Sequence, residues 1–187
     1  MNEYFELEFK YKADDISLQD FISLMKDLPI LKRKDASSWD HYMVSSKEDE
    51  FIRYRESDNP ELTIKRKIKD SNNWQRIEID LPLDVNKTKL NTIVEWVSLL
   101  DYKPKRSIYK NCFIYWLDYI NFVFYIVYDE NMKEKGKFIE VEINKELLGK
   151  NLFNVEEQLK KGQDILLKLG LSPQNRLKKS LFEMFVK

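Results

Sequence analysis

Six stretches of this chain carry charged residues at alternate positions with apolar residues between them: Glu6-Leu7-Glu8-Phe9-Lys10, Arg53-Tyr54-Arg55, Lys65-Arg66-Lys67, Arg76-Ile77-Glu78-Ile79-Asp80, Glu140-Val141-Glu142 and, more loosely, Arg106 to Lys110. Side chains on a strand alternate with period 2, so each set of charges shares one face. Carboxylates two residues apart sit roughly 6.5–7 Å apart at the backbone. Two such pairs on neighbouring strands can converge on a hard cation, which prefers oxygen ligands. Basic pairs on adjacent strands repel across the ladder, so an anion between them is the better explanation of Arg53-x-Arg55 beside Lys65-x-Lys67. Arginine suits bidentate contact with phosphate oxygens, and lysine supplies a compact charge. A solvent-facing strand edge explains Glu6-x-Glu8 alone, but not the set. The chemistry indicated is that of phosphate with divalent cations.

Composition removes the competing chemistries. His41 is the only histidine, so histidine-rich zinc sites are excluded, and a Ser-His-Asp triad would have to use that residue. The four glycines form no Gly-x-Gly or Gly-Lys-Ser/Thr motif, which excludes a P-loop and a dinucleotide fingerprint. Any phosphate site must therefore be built from side chains. The 32 basic and 32 acidic residues cancel, which argues against non-specific DNA binding. Cys112 is the only cysteine and cannot form an intramolecular disulfide, so a reducing cytoplasm is the expected location. No apolar run is long enough to span a bilayer as a helix, and Met1-Asn2-Glu3-Tyr4 opens no export signal, so no membrane association is expected.

With 187 residues, 43% of them hydrophobic, the chain is read as one domain over residues 1–187. Strand patterns run over Tyr4 to Lys12, Ser38 to Val44, Phe51 to Arg55, Leu62 to Ile68, Trp74 to Leu81, Arg106 to Leu117, Asn121 to Asp129 and Lys137 to Ile143. A polar connector precedes Ser38, and Asp58-Asn59-Pro60 and Asp70-Ser71-Asn72-Asn73 form turns. Helical spacing appears after Asp14 and Asp15, which are placed to cap a helix ending before Pro29. It recurs from Val85 to Leu100, from Val155 to Leu169 with Gly170 as the stop, and after Ser172-Pro173. The expected architecture is α+β: an eight-stranded antiparallel barrel with helices outside and charges inside. A wet, charged interior is costly unless opposite charges, metals or a ligand compensate it.

In this order the motifs resemble the CYTH superfamily, the triphosphate tunnel metalloenzymes. Glu6-x-Glu8-x-Lys10 is similar to the family's ExExK motif. Arg53-x-Arg55 and Lys65-x-Lys67 resemble its basic strands, Glu78 its acidic position and Lys105-Arg106 its basic doublet. Asp129, Gly136 and Glu140-x-Glu142 are similar to its Asp, turn glycine and closing Glu-x-Glu. Lys178-Lys179-Ser180-Leu181-Phe182 resembles the C-terminal Lys-Ser-Tyr helix, with Leu181 in place of tyrosine. Lys105 also departs from the pattern, standing directly before Arg106 instead of two residues before it. The match runs from Glu6 to about Phe185.

The resemblance implies a tunnel that binds a triphosphate, as in thiamine triphosphatases, inorganic tripolyphosphatases, class IV adenylate cyclases and RNA 5′-triphosphatases. It implies that Glu6, Glu8, Glu140 and Glu142 hold one or two Mg²⁺ or Mn²⁺ ions, assisted by Asp129 and Glu78. It also implies that Lys10, Arg53, Arg55, Lys65, Lys67 and Arg106 grip the phosphates, with Lys179 closing over them. The expected activity is removal of the terminal phosphate from a small-molecule or polymer-end triphosphate. The water would be oriented by Glu78 or by Lys65 or Lys67. A class IV-type cyclase and a non-catalytic triphosphate-binding module are the alternatives, and both monomer and homodimer are compatible with the sequence. His41 is read as a rim or core residue. Phe51 is read either as packing or as a stacking surface, and Lys12, Lys110 and Lys178 as solvated or rim charges. Arg76 and Asp80 are read as a structural pair, Cys112 as a small core residue, and Trp39, Trp74, Trp96 and Trp116 as packing residues.

Overall fold

The computed structural model describes residues 5–6, 8–46, 50–67, 76–143 and 155–187. The first strand comes in two pieces, β1 (Phe5–Glu6) and β2 (Glu8–Lys12). One meander follows as β3 (Lys32–Val44), β4 (Glu50–Glu56), β5 (Glu61–Lys67) and β6 (Arg76–Pro82). A second is formed by β7 (Lys103–Trp116), β8 (Ile120–Tyr128) and β9 (Glu134–Ile143), and Arg176–Leu177 adds a short β10. The hydrogen-bonded order is β1-β6-β5-β4-β3-β7-β8-β9-β2-β10, and every pairing is antiparallel. β1 pairs with β6 near one end of this order and β2 with β9 near the other. Both belong to one run of chain, so the sheet curls into a barrel-like tunnel. On the β6 side the described ladder is short, Phe5 opposite Ile77 and Glu6 opposite Arg76, so the wall is not sealed by continuous pairing.

The alternation explains why the helices lie outside. Tyr11, Phe122, Phe124, Ile139 and Val141 project outward from β2, β8 and β9 and are buried against α1 (Leu18–Lys26) and α3 (Val155–Leu166), through Phe21, Met25, Leu159 and Leu166. On the other side, Met43, Ile52, Tyr54 and Leu62 meet Ile93 and Val97 of α2 (Leu90–Ser98). The polar halves of the same strands are left to face inward. One end of the interior is nevertheless apolar: Leu181 and Phe182 of the short α4 (Leu181–Phe185) enter it and pack with Tyr42, Phe51, Ile108 and Phe138.

Several boundaries differ from the sequence reading for local reasons. The cap of α1 is Ser17, whose hydroxyl accepts the Asp20 N–H while the Asp20 carboxylate accepts the Ser17 N–H. Asp14 instead accepts the backbone N–H of Lys137. The polar run from Lys32 to Ser37 is strand, not connector, because it pairs with Asn111–Trp116 of the long β7. Ser172-Pro173 starts only a 3₁₀ turn, Pro173–Asn175, followed by β10. Trp96 is half exposed, so it is not a core residue. The expected turn at residues 70–73, and Trp74, lie outside the described residues.

Candidate functional site

The inward faces enclose a cavity of about 520 Å³. At one end lie Tyr42, Phe51, Leu181 and Phe182; toward the other are Lys34, Ser37 and the β4–β5 turn residues Ser57, Asp58 and Asn59. Among the described residues six cations line it: Lys10, Lys34, Arg53, Arg55, Lys65 and Lys110. Seven carboxylates line it with them: Glu8, Asp58, Glu61, Glu78, Asp80, Glu140 and Glu142.

On the acidic wall, β2 and β9 set Glu8 opposite Glu142 and Lys10 opposite Glu140. The Lys10 ammonium lies 2.9 Å from Glu8 Oε1 and 2.9 Å from Glu140 Oε1, and the Tyr125 hydroxyl donates to Glu140 Oε1 at 2.7 Å. Burial opposes the charge on Lys10, but Glu140 and Glu8 outweigh it, and the lysine pKa is raised. Burial likewise works against ionised Glu140, yet Lys10 and the Tyr125 hydroxyl bring its pKa below the ordinary value.

The basic wall is carried by β4, β5 and β7. Asp40 on β3 is fully buried beneath it. Arg55 donates to Asp40 from Nε to Oδ1 at 2.8 Å and from Nη2 to Oδ2 at 3.2 Å, and Lys110 Nζ lies 2.6 Å from Oδ2. Burial disfavours the Asp40 charge, but Arg55, Lys110 and Arg53 hold the carboxyl well below the usual carboxylate range. Burial and the neighbouring Arg55 push the Lys110 pKa down, against the pull of Asp40. Arg53 Nη2 donates to Glu61 Oε1 and Thr63 Oγ1, each at 2.9 Å, and the Thr63 hydroxyl donates to Asp80 Oδ1 at 2.8 Å. Arg53 Nε is buried with no acceptor among the described residues. Lys65 Nζ stands 3.2 Å from Glu78 Oε2.

Of the residues singled out from sequence, the structure gathers Glu8, Lys10, Arg53, Arg55, Lys65, Glu78, Glu140 and Glu142 around this cavity. The side chains of Glu6, Lys67 and Arg76 lie outside the described structure. Three expected residues do not line the cavity. Asp129 directly follows β8, where Oδ1 accepts the backbone N–H groups of Asn131 and Lys133 at 3.0 Å each, so it shapes a turn. Those backbone donors, Lys133 first, also lower its pKa. Arg106 donates to the Phe185 carbonyl at 2.7 Å and so caps α4. The register shifts there by one residue, Tyr42 facing Arg106 and Met43 facing Pro104. Lys105 is therefore the extra residue of a bulge. Lys179 is exposed on the approach to α4.

Asp40 and Lys110 belong to the site although the sequence reading assigned Asp40 no role and Lys110 to the rim. The available signal was parity: Asp40 shares the face of Tyr42, and Lys110 that of Cys112, which also lines the cavity. Burial pushes the Cys112 thiol up, so it is no ready thiolate. His41 faces Ser107 and Glu56 and lies outside the cavity. Phe51 stacks on Phe182 at 4.3 Å and serves packing.

No protein-family model matches the chain, and no curated protein matches it. Its fold is similar to that of PH1012 from Pyrococcus horikoshii OT3, with 21% identity, TM-score 0.73, and 97% of this chain and 99% of that chain covered. A candidate adenylate cyclase from Vibrio parahaemolyticus is similar at 14% identity and TM-score 0.67, with 98% of each chain covered. A chain of the Schizosaccharomyces pombe Mediator head module is similar at 12% identity and TM-score 0.55, with 98% of this chain and 97% of that chain covered. At these identities the likeness is one of fold alone.

Proposed function

We propose that the chain is a metal-dependent triphosphate hydrolase that removes the terminal phosphate of a substrate held inside the barrel. The gathering of both charges in one cavity carries this reading: Glu8, Glu140 and Glu142 on β2 and β9 converge around Lys10, while Arg53, Arg55, Lys65 and Lys110 on β4, β5 and β7 stand with Glu61, Glu78 and Asp80 among them. The cavity volume of about 520 Å³ is in the range of small-molecule sites. A triphosphate carries about four negative charges near neutrality. Among the described residues, seven carboxylates beside six cations leave no positive excess for it, so added cations would supply the missing charge.

The residues fit a divalent ion. Among the described residues no three acidic, cysteine or histidine side chains form a ready cage. Yet Glu8 and Glu140 already converge on one positive charge, the Lys10 ammonium, and their oxygens are hard donors. Glu8, Glu140 and Glu142 would hold the ion. When bound, it would supply Lewis-acid polarisation of phosphoryl oxygens and a lowered water pKa. The chain's own groups do the rest. Arg53, Arg55, Lys65 and Lys110 orient the phosphates and meet the charge that shifts onto their oxygens as water attacks in line. One P–O bond forms to water while the bridging P–O bond breaks, and its electron pair leaves with the diphosphate. Glu78 accepts the water proton, held in place by Lys65.

Mutual packing of Tyr42, Phe51 and Phe182 at the apolar end of the cavity supports hydrolysis over cyclisation, which needs a pocket for a nucleobase. The test is a panel of tripolyphosphate, thiamine triphosphate, ATP and a 5′-triphosphorylated RNA, each with Mg²⁺ or Mn²⁺. Phosphate release that falls at least about 100-fold in a folded Glu140→Gln variant is expected for an ion ligand. Cyclic AMP and pyrophosphate from ATP would establish the cyclase instead, and undiminished activity in that variant would end the proposal.

A further inference from the structure

We propose that the side-chain amide oxygen of Asn121 is a further ligand of the divalent ion, in one row with Glu142 and Glu8. This rests on the metal-dependent reading above and adds a neutral oxygen donor from β8 to an otherwise carboxylate site. In the registered sheet Asn121 is directly opposite Glu142, and Glu142 directly opposite Glu8. Directly opposed residues of antiparallel strands are about 4.5–5.5 Å apart at Cα. All three side chains line the cavity, so three oxygen-bearing groups stand side by side across β8, β9 and β2.

A separate observation points to a ligand. Asn121 is only 7% exposed, and its Oδ1 is buried with no hydrogen-bond donor among the described residues. Buried carbonyl oxygens are almost always partnered. An unpartnered acceptor matches a cation and not a phosphate, whose oxygens are acceptors themselves. In the next row β8 presents Val123 opposite Glu140, with Lys10 beyond, and the hydroxyl of Tyr125 further along β8 is already donated to Glu140, so Asn121 is the unpartnered oxygen from that strand among the described residues. A hard divalent ion takes carboxylate and amide oxygens together.

Mn²⁺ titrated into the metal-free full-length chain without phosphate, followed by the electron paramagnetic resonance signal of unbound Mn²⁺, tests the assignment. Asn121→Leu keeps the shape but removes the oxygen and is expected to weaken binding on the order of tenfold. Asn121→Asp restores an oxygen and should bind Mn²⁺ at least as tightly as the natural chain. Equal binding by natural and Asn121→Leu chains overturns the assignment, and so does equal weakening in both variants, which would indicate packing. If Asn121→Leu fails to fold, Asn121→Ala, which also lacks the oxygen, carries the same expectation. A folded natural chain that takes up no Mn²⁺ would remove the metal reading itself, whereas uptake lost only in Glu142→Gln would remove Asn121 alone.

Discussion

A buried carboxylate shared by two cations is the part of the site with the most at stake at the level of single residues. Removing one member of a buried charged network leaves the others uncompensated, at a cost of about 3–5 kcal/mol. Asp40→Asn is therefore expected to lower stability by about that amount at neutral pH, measured by urea unfolding, with Arg55 and Lys110 left in mutual repulsion. The pH dependence follows from the direction of the shift. The folded-state pKa of Asp40 is depressed. Its stabilisation is thus complete above the unfolded value near 4 and is lost as pH falls through the lower folded value. The natural chain should lose stability steeply on acidification in this window, and Asp40→Asn less steeply. Lys110→Met is expected to raise KM for the triphosphate about tenfold, the loss of one charged contact. Lys12→Met, which removes a 59%-exposed ammonium paired with Asp14, should change little. Paired charges such as Glu140-x-Glu142 were legible in the sequence because the repeat at two residues is itself the signal. Asp40 was not: it stands alone between Ser38 and Tyr42, and a solitary carboxylate in a strand looks like surface until its cations are placed around it.

At the level of elements, each of the eight strand patterns is met by a strand among the described residues, the first in two pieces, because alternation is a local property; β10 had no such pattern. What the sequence hid were features set by partners far along the chain. Lys32 to Ser37 is polar because only β7 needs to pair with it, and pairing makes it a strand. The fate of the last segment was hidden for the same reason, since α4 is held by contacts with β3, β4 and β9. Stacking of Phe182 on Phe51 at 4.3 Å makes this helix a plug. Phe182→Ala should cost about 3 kcal/mol and open the apolar end of the cavity, detected as increased binding of a hydrophobic dye with a lowered Tm. Gly162 marks another close contact, where α3 lies on β9. A methyl group there would overlap Val141 Cγ1 and stand 3.3 Å from Ile120 Cδ1. Alanine normally favours a helix interior by about 1 kcal/mol over glycine. Gly162→Ala is nevertheless expected to destabilise by about 1–3 kcal/mol, as overpacking does, and thermal unfolding gives the sign.

For the molecule as a whole, net charge conceals the distribution that matters. The 32 basic and 32 acidic residues balance overall, and among the described residues the cavity lining is close to balance too. Tripolyphosphate binding followed by calorimetry should therefore be at least about tenfold weaker in EDTA than with Mg²⁺, since bound cations supply the missing positive charge. Similar folds occur in a candidate adenylate cyclase and in the Mediator head module, so architecture alone assigns no reaction and the inward side chains must do so. The run from residue 5 to residue 12 borders both ends of the strand order, with Glu6 beside Arg76 and Glu8 beside Glu142. During synthesis this segment leaves the ribosome before either partner, and its second partner follows the first by about 60 residues of chain. Until residues 138–142 have been made, residues 8–12 lack that neighbour, so the curled wall around the cavity can form only after they emerge.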